Sequence, residues 1–256
     1  MIRKTLAAAL LTSALALTAG SAHAQKDQTL SPEQADAVRK VVRDYLMEHP
    51  EVIVDAMEAL REKMNAQAET EAKKAIAAHK EALFNGKDDP VGGNLKGDVT
   101  VVEFFDYNCG YCKVVLDPLA EAVKTDRNVK VVYKEFPILS ADSATASRVA
   151  LAAKKQGKYE EVHRAFMKFR GKLDEKTIFR LAGEAGANVD QLKKEMMAPE
   201  IDAQIKKNVE LAHALNIGST PTFVVGDRIL PGAMEGQVFK QLFDITRKGG
   251  RLDGGK

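Results

Sequence analysis

The chain has no tryptophan, only two cysteines in 256 residues, and aromatic residues at just 6%. Two cysteines are too few for a disulfide-stapled secreted scaffold or a four-thiolate zinc site. Charge is nearly balanced, with 38 Lys+Arg against 36 Asp+Glu. No basic stripe is present, so nucleic acid is not an expected partner. Past the first two dozen residues, no uncharged apolar run approaches the roughly 20 residues that span a bilayer. Low-complexity and disorder-prone tracts are missing as well. What remains is 45% hydrophobic and 29% charged, enough for a sizeable core. At roughly 150 residues per domain, the length allows one large domain or two small ones.

The N-terminus has the three parts of a secretory signal peptide. Met1-Ile2-Arg3-Lys4 is basic, Thr5 to Thr18 is apolar, and Ala22-His23-Ala24 is a small-x-small cleavage site. Residues 1–24 are therefore expected to be removed on export to the periplasm. No cysteine sits at the cleavage point, so a lipid anchor is not expected. The leader carries Arg3 and Lys4 and no acid, and the remaining chain is formally neutral.

Residues 25–85 read as helical. Ser31-Pro32-Glu33-Gln34 is a capping box with proline in the first turn. Val38, Val41, Val42, Tyr45 and Leu46 form one apolar face. Pro50 ends that helix. Ile53, Met57, Leu60 and Met64 then follow heptad spacing. Two heptads leave two readings open, an oligomerisation stalk or helices that fold back on the main domain. Residues 86–98, rich in glycine, read as a linker.

A different texture begins at Val99. Val99 to Phe105 and Val129 to Phe136 are β-branched and aromatic and read as buried strands. A helix from Lys113 to about Thr125 lies between them, giving a parallel crossover. Residues 140–216 read as a helical insertion broken at Gly157, Gly171, Gly186 and Pro199. Thr222–Val225 and Arg228–Leu230 form a hairpin about Gly226-Asp227, and a last helix runs from about Glu235 to Arg247. The expected class is α/β, a sheet of three to five strands with helices inserted between its halves, over residues 99–250.

Both cysteines lie in one C-x-x-C, Cys109-Gly110-Tyr111-Cys112. A structural zinc would need two further ligands. His49, His79, His163 and His213 show no ligand spacing, so no metal is assigned. A disulfide closing so short a loop adds little stability. Redox exchange fits better. A cysteine at a helix start has its thiolate stabilised by free amides and the helix dipole. Cys109 occupies that position and would attack or be attacked, and Cys112, one turn in, would resolve the mixed disulfide. No further cofactor is needed. In an exported chain the pair is not to be assumed an idle reduced couple.

Glu103 sits in an otherwise apolar strand. It is either an edge carboxylate facing water or a buried acid that moves protons for Cys112. Lys134 either adds positive potential near the thiolate or is solvated. Tyr107, Asn108 and Tyr111 are expected to shape the approach to the sulfurs, and Tyr111 to touch a partner. Thr220-Pro221 precedes a strand, where proline marks an edge or a special bond. A cis bond there would expose backbone groups for pairing with a substrate strand.

FFDYNCGYC, YKEFP, the helical insertion and GSTPTFVV together resemble a periplasmic DsbA-type thioredoxin-fold oxidoreductase, over about residues 90 to 250. DYLMEHPEVIVDAMEAL resembles the N-terminal region of the suppressor-of-copper-sensitivity protein C (ScsC) group, whose members are periplasmic and include trimers that isomerise disulfides. The resemblance implies that Cys109 is the nucleophile and Cys112 the resolving cysteine. It implies that Pro221 is cis with Thr220 before it, and that Glu103 is the buried acid. Residues 25–85 become an oligomerisation segment, and a trimer is implied. Gly110-Tyr111 departs from the Pro-His of the strong oxidase DsbA, so strong oxidase strength is not carried over. Three functions follow as expectations: an oligomeric isomerase, a monomeric oxidase, or capture of copper(I) by Cys109 and Cys112. Clients would be exported cysteine-containing proteins, with a membrane redox partner resetting the thiols.

Overall fold

The computed structural model describes residues 30–249, so the expected leader, residues 1–24, lies outside the described residues. The described chain divides between Ala59 and Leu60 into two units. The first holds helix α1 (Pro32–Glu48) and the opening turns of α2 (Glu51–Ala78). The capping box forms as the sequence implies. Ser31 Oγ accepts from the Gln34 amide at 3.2 Å, and Gln34 Oε1 accepts from the Ser31 amide at 2.9 Å. No residue of α1 is buried, and Val38, Val41, Val42 and Tyr45 all face solvent.

The second unit is built on a five-stranded sheet in the order β1-β3-β2-β4-β5. The strands are β1 (Val91–Gly93), β2 (Val99–Phe105), β3 (Val129–Glu135), β4 (Thr222–Val225) and β5 (Arg228–Pro231). β2 and β3 are parallel, and the other neighbours are antiparallel. The parallel pair requires a crossover, supplied by α4 (Gly110–Asp126). The alternation of β2 sends Val101 to one face and Val102 and Phe104 to the other. On the first face Val101 and Val131 pack with Val115 and Leu119 of α4 and with Phe239, Leu242 and Phe243 of α10 (Gly236–Lys248). On the second face Val102, Phe104 and Val132 pack with Leu211 and Leu215 at the end of α9 (Pro199–Ala214).

The insertion comprises α5 (Ala141–Lys155), α6 (Tyr159–Lys168), α7 (Glu175–Glu184), α8 (Val189–Glu195) and α9. Its breaks fall at the glycines and proline that the sequence marks. This block has its own core, which reaches Phe105, Tyr107 and both cysteines.

Two boundaries are corrected. Residues 86–98 are not a free linker, because β1 forms inside them and pairs with β3. Its Val-Gly-Gly sequence has no apolar alternation to reveal it. Gly93 needs its left-handed φ of +67°, and a Cβ there would meet the Val129 carbonyl at 2.4 Å. The helical segment also does not end its role at residue 85 as a separate stalk. Ile76 and Leu83, the latter in α3 (Lys80–Phe84), are buried in the core below Phe104.

Candidate functional site

The motif sits where β2 ends and α4 begins. Asp106, buried, shapes that junction. Its Oδ1 accepts from the Asn108 amide at 2.8 Å and its Oδ2 from the Leu139 amide at 3.0 Å. Cys109 is the N-cap of α4, and its Sγ accepts from the Cys112 amide at 3.4 Å. Its environment pulls the pKa down to about 5. The Cys112 thiol is the largest cause, opposed by burial and helped by Thr220 and the Cys112 and Tyr111 amides. Cys112 is 1% exposed. Burial first, then its bond to Cys109 and the Glu103 charge, push its pKa far above the ordinary thiol value. Both are free thiols in this structure. One sulfur is thus poised as a thiolate and its partner held protonated beneath it. That asymmetry suits one group to attack and the other to resolve.

Antiparallel pairing of β4 with β2 brings the segment before β4 beside the motif. Thr220-Pro221 is a cis bond, and Cys109 Sγ lies 3.2 Å from the Thr220 carbonyl oxygen, close enough for that oxygen to accept from the thiol when Cys109 is protonated. Tyr111 is 70% exposed, and a Cβ on Gly110 would meet nothing within 4 Å. Cys109, Cys112, Gly110, Tyr111, Thr220 and Pro221 therefore come together at one surface. Glu103 lies beneath, opposite Tyr133 on β3. It is buried, and burial followed by the Cys109 and Glu135 charges raises its pKa to about 8. Its environment is that of the buried acid, not of a solvated edge carboxylate.

Two expectations fail on burial. Tyr107 is 0% exposed and cannot meet a client. Its ring packs edge-on against Phe105 and Phe166, and its hydroxyl donates to Glu135 Oε1 at 2.9 Å. Lys134 is neither solvated nor free to act on the thiolate. Its ammonium pairs with Asp89 and donates to the Ala82 carbonyl at 2.7 Å. Sequence reasoning also passed over Asp106, Glu135 and His163. Glu135 ends a strand that already carries Lys130 and Lys134, so it lacked the apolar setting that singled out Glu103. Among the described residues, no three His, Cys, Asp or Glu side chains gather as a metal site.

A sulfur of lowered pKa at a helix start, a buried thiol one turn further in and a cis proline beside them make up the site. The DSBA-like thioredoxin domain matches residues 100–244. The chain belongs to that family. It is a DsbA-like thiol-disulfide oxidoreductase in fold and lineage, and residues 34–67 match the N-terminal domain of the copper resistance protein ScsC. A thioredoxin-like oxidoreductase from Silicibacter pomeroyi is 46% identical, with a TM-score of 0.64, covering 66% of this chain and 97% of that one. Proteus mirabilis ScsC in a transitional conformation is 28% identical with a TM-score of 0.64, over 86% of this chain and 98% of the other. Disulfide bond formation protein D of Bacillus subtilis is 27% identical over 176 residues, 64% of this chain and 79% of that protein. The chain spans only 22% of the length of another curated relative, a Na(+)/H(+) antiporter of Salinispora tropica.

Proposed function

We propose that this protein is an exported disulfide isomerase that works as an oligomer. The observation that carries the exchange chemistry is the split between Cys109, low in pKa at the helix start, and Cys112, buried and protonated below it. Cys109 thiolate attacks a client disulfide, one client sulfur leaves, and a mixed disulfide forms. Cys112 then attacks Cys109 Sγ and releases the client, or the client's own thiol does so in a new pairing. Tyr111 offers an exposed aromatic face to the client, and Glu103 takes the proton that Cys112 must lose. A helix at membrane-spanning length and apolarity is absent among the described residues. Resetting of the thiols falls to a separate membrane redox partner.

Isomerase action is supported by the helical segment. Ile53, Met57, Leu60 and Met64 are each at least 48% exposed at heptad spacing, an apolar seam that a single chain leaves wet. Joining copies along it would place several thiolates around one misfolded client and raise their effective concentration. Substituting Met57 and Leu60 by glutamate tests this. Light scattering should show a smaller species, and refolding of a scrambled disulfide substrate should fail while oxidation of a dithiol peptide continues. A wild-type monomer, or full isomerase activity in the substituted chain, would leave a simple oxidase. The match of residues 34–67 to a copper resistance domain favours copper(I) capture by the two thiols as the second reading. Tight copper(I) binding without disulfide turnover would put it first.

A further inference from the structure

A buried imidazole lies apart from the motif. His163 of α6 is 1% exposed, and its Nε2 has no hydrogen-bond partner. A buried polar atom without a partner is costly and calls for a reason. Its other nitrogen, Nδ1, lies 3.2 Å from Tyr107 Oη. The Tyr107 proton goes to Glu135 Oε1, so Oη accepts from Nδ1–H, and Nε2 is left as a bare acceptor. Burial, with Arg164 adding to it, holds the imidazole neutral with a pKa of about 3.

His163 and Glu103 both line a cleft of about 510 Å³ between α4, β3 and α6. That is room for several water molecules. Its charged groups are Asp117, Glu121 and Lys124 from α4 and Glu160 and Arg164 from α6, with the Tyr133 phenol from β3. Neither cysteine, nor Tyr111, Thr220 or Pro221, lines it, so a client seated on Cys109 leaves it open. At the other end, Glu135 is fully buried. It accepts from Tyr107 and Tyr159 at 2.9 and 2.8 Å and from Ser147 at 2.7 Å.

We propose that His163 and Tyr107 relay protons between Glu103 and Glu135, so that the second buried acid serves as a proton store for the resolving cysteine. The step balances without any further reactant. A proton leaving Glu103 passes through water in the cleft to Nε2, the Nδ1 proton moves to Tyr107 Oη, and the Tyr107 proton moves to Glu135. Glu103 becomes the carboxylate that receives the Cys112 proton, and Glu135 becomes the acid. Glu135 suits this role because burial raises its pKa to about 8, matched to Glu103. His163 and Tyr107 are positioning residues that act through Glu103. The inference rests on the reading of Glu103 given above.

The test uses the full chain and single-turnover kinetics, with a peptide disulfide as client. Formation and release of the Cys109 mixed disulfide are timed separately, in H₂O and D₂O, across the pH of about 8 at which the two acids titrate. Expected for His163→Phe is unchanged formation and release slowed by about tenfold or more, at the low end of what a lost proton-transfer group costs. The proton inventory of release should be curved in the wild type and linear in His163→Phe. Glu135→Gln, which keeps the hydrogen-bonded shape, guards against a folding defect and should also slow release. Release at the wild-type rate in both variants, with Glu103→Gln slowed, overturns the relay and leaves the Glu103 reading standing. If Glu103→Gln itself releases at the wild-type rate, that reading falls as well.

Discussion

Lowering the pH of the reduced protein should cost it stability relative to the oxidised protein. The Cys109 pKa falls from an ordinary 9.0 to about 5 in the folded chain. A group depressed on folding contributes stability that is complete above its unfolded value and is lost as the pH falls through its folded one. By linkage this thiolate supplies under about 1 kcal/mol at pH 5 and roughly 3 kcal/mol at pH 7, a gain of roughly 2 kcal/mol. For a chain of this size that is about 4–8 °C in melting temperature. The oxidised form has no thiol to titrate. Glu103 and Glu135, raised on folding from an ordinary 4.5 to about 8, oppose the trend across the whole interval, so the Cys109 contribution is read as the difference between the two redox forms. The assay is thermal unfolding of reduced and oxidised protein at pH 5 and pH 7, with Cys109→Ser as control. Reduced protein should gain on oxidised protein over that interval, and the control should not. Parallel curves for the two redox forms, or a reduced form that loses ground to the oxidised form as the pH rises, would refute the assignment of a stabilised thiolate.

Three further outcomes are expected. Lys134→Met strands Asp89 as a buried unpaired acid and should cost about 3–5 kcal/mol in denaturant melts, whereas adding Asp89→Leu should recover much of it. Tyr111→Ala should leave the melting temperature unchanged and weaken client engagement, read as a raised KM in refolding of a scrambled substrate. Glu103→Gln should slow release of a mixed disulfide without slowing its formation, read by quenched-flow alkylation and mass spectrometry.

The sequence showed the fold wherever periodicity or β-branched runs were strong. β2 and β4 begin and end at the residues their composition marks, and the breaks of the insertion coincide with Gly157, Gly186 and Pro199. β1 escaped because a three-residue Val-Gly-Gly edge strand is held by its partner β3 and not by its own side chains. The end of α2 and the short α3 were legible as helix, but their docking was not, because alanine-rich helix carries little periodicity and only Ile76 and Leu83 reach the core. At the site, the C-x-x-C and the proline were visible as local patterns. Tyr107 misled because position beside the motif does not reveal which way a ring turns, and here it turns inward to Glu135. His163 was legible only as one of four scattered histidines. Its meaning comes from long-range packing that sets it between Tyr107 and the cleft.

In the exchange proposed above, Cys109 attacks and Cys112 resolves. Reacting Cys112→Ser with a peptide disulfide at neutral pH, and mapping the adduct by mass spectrometry, tests it most directly. A stable mixed disulfide should accumulate on Cys109, and Cys109→Ser should form none through Cys112. An adduct on Cys112 in that second variant, or no adduct on Cys109 in the first, would contradict the account.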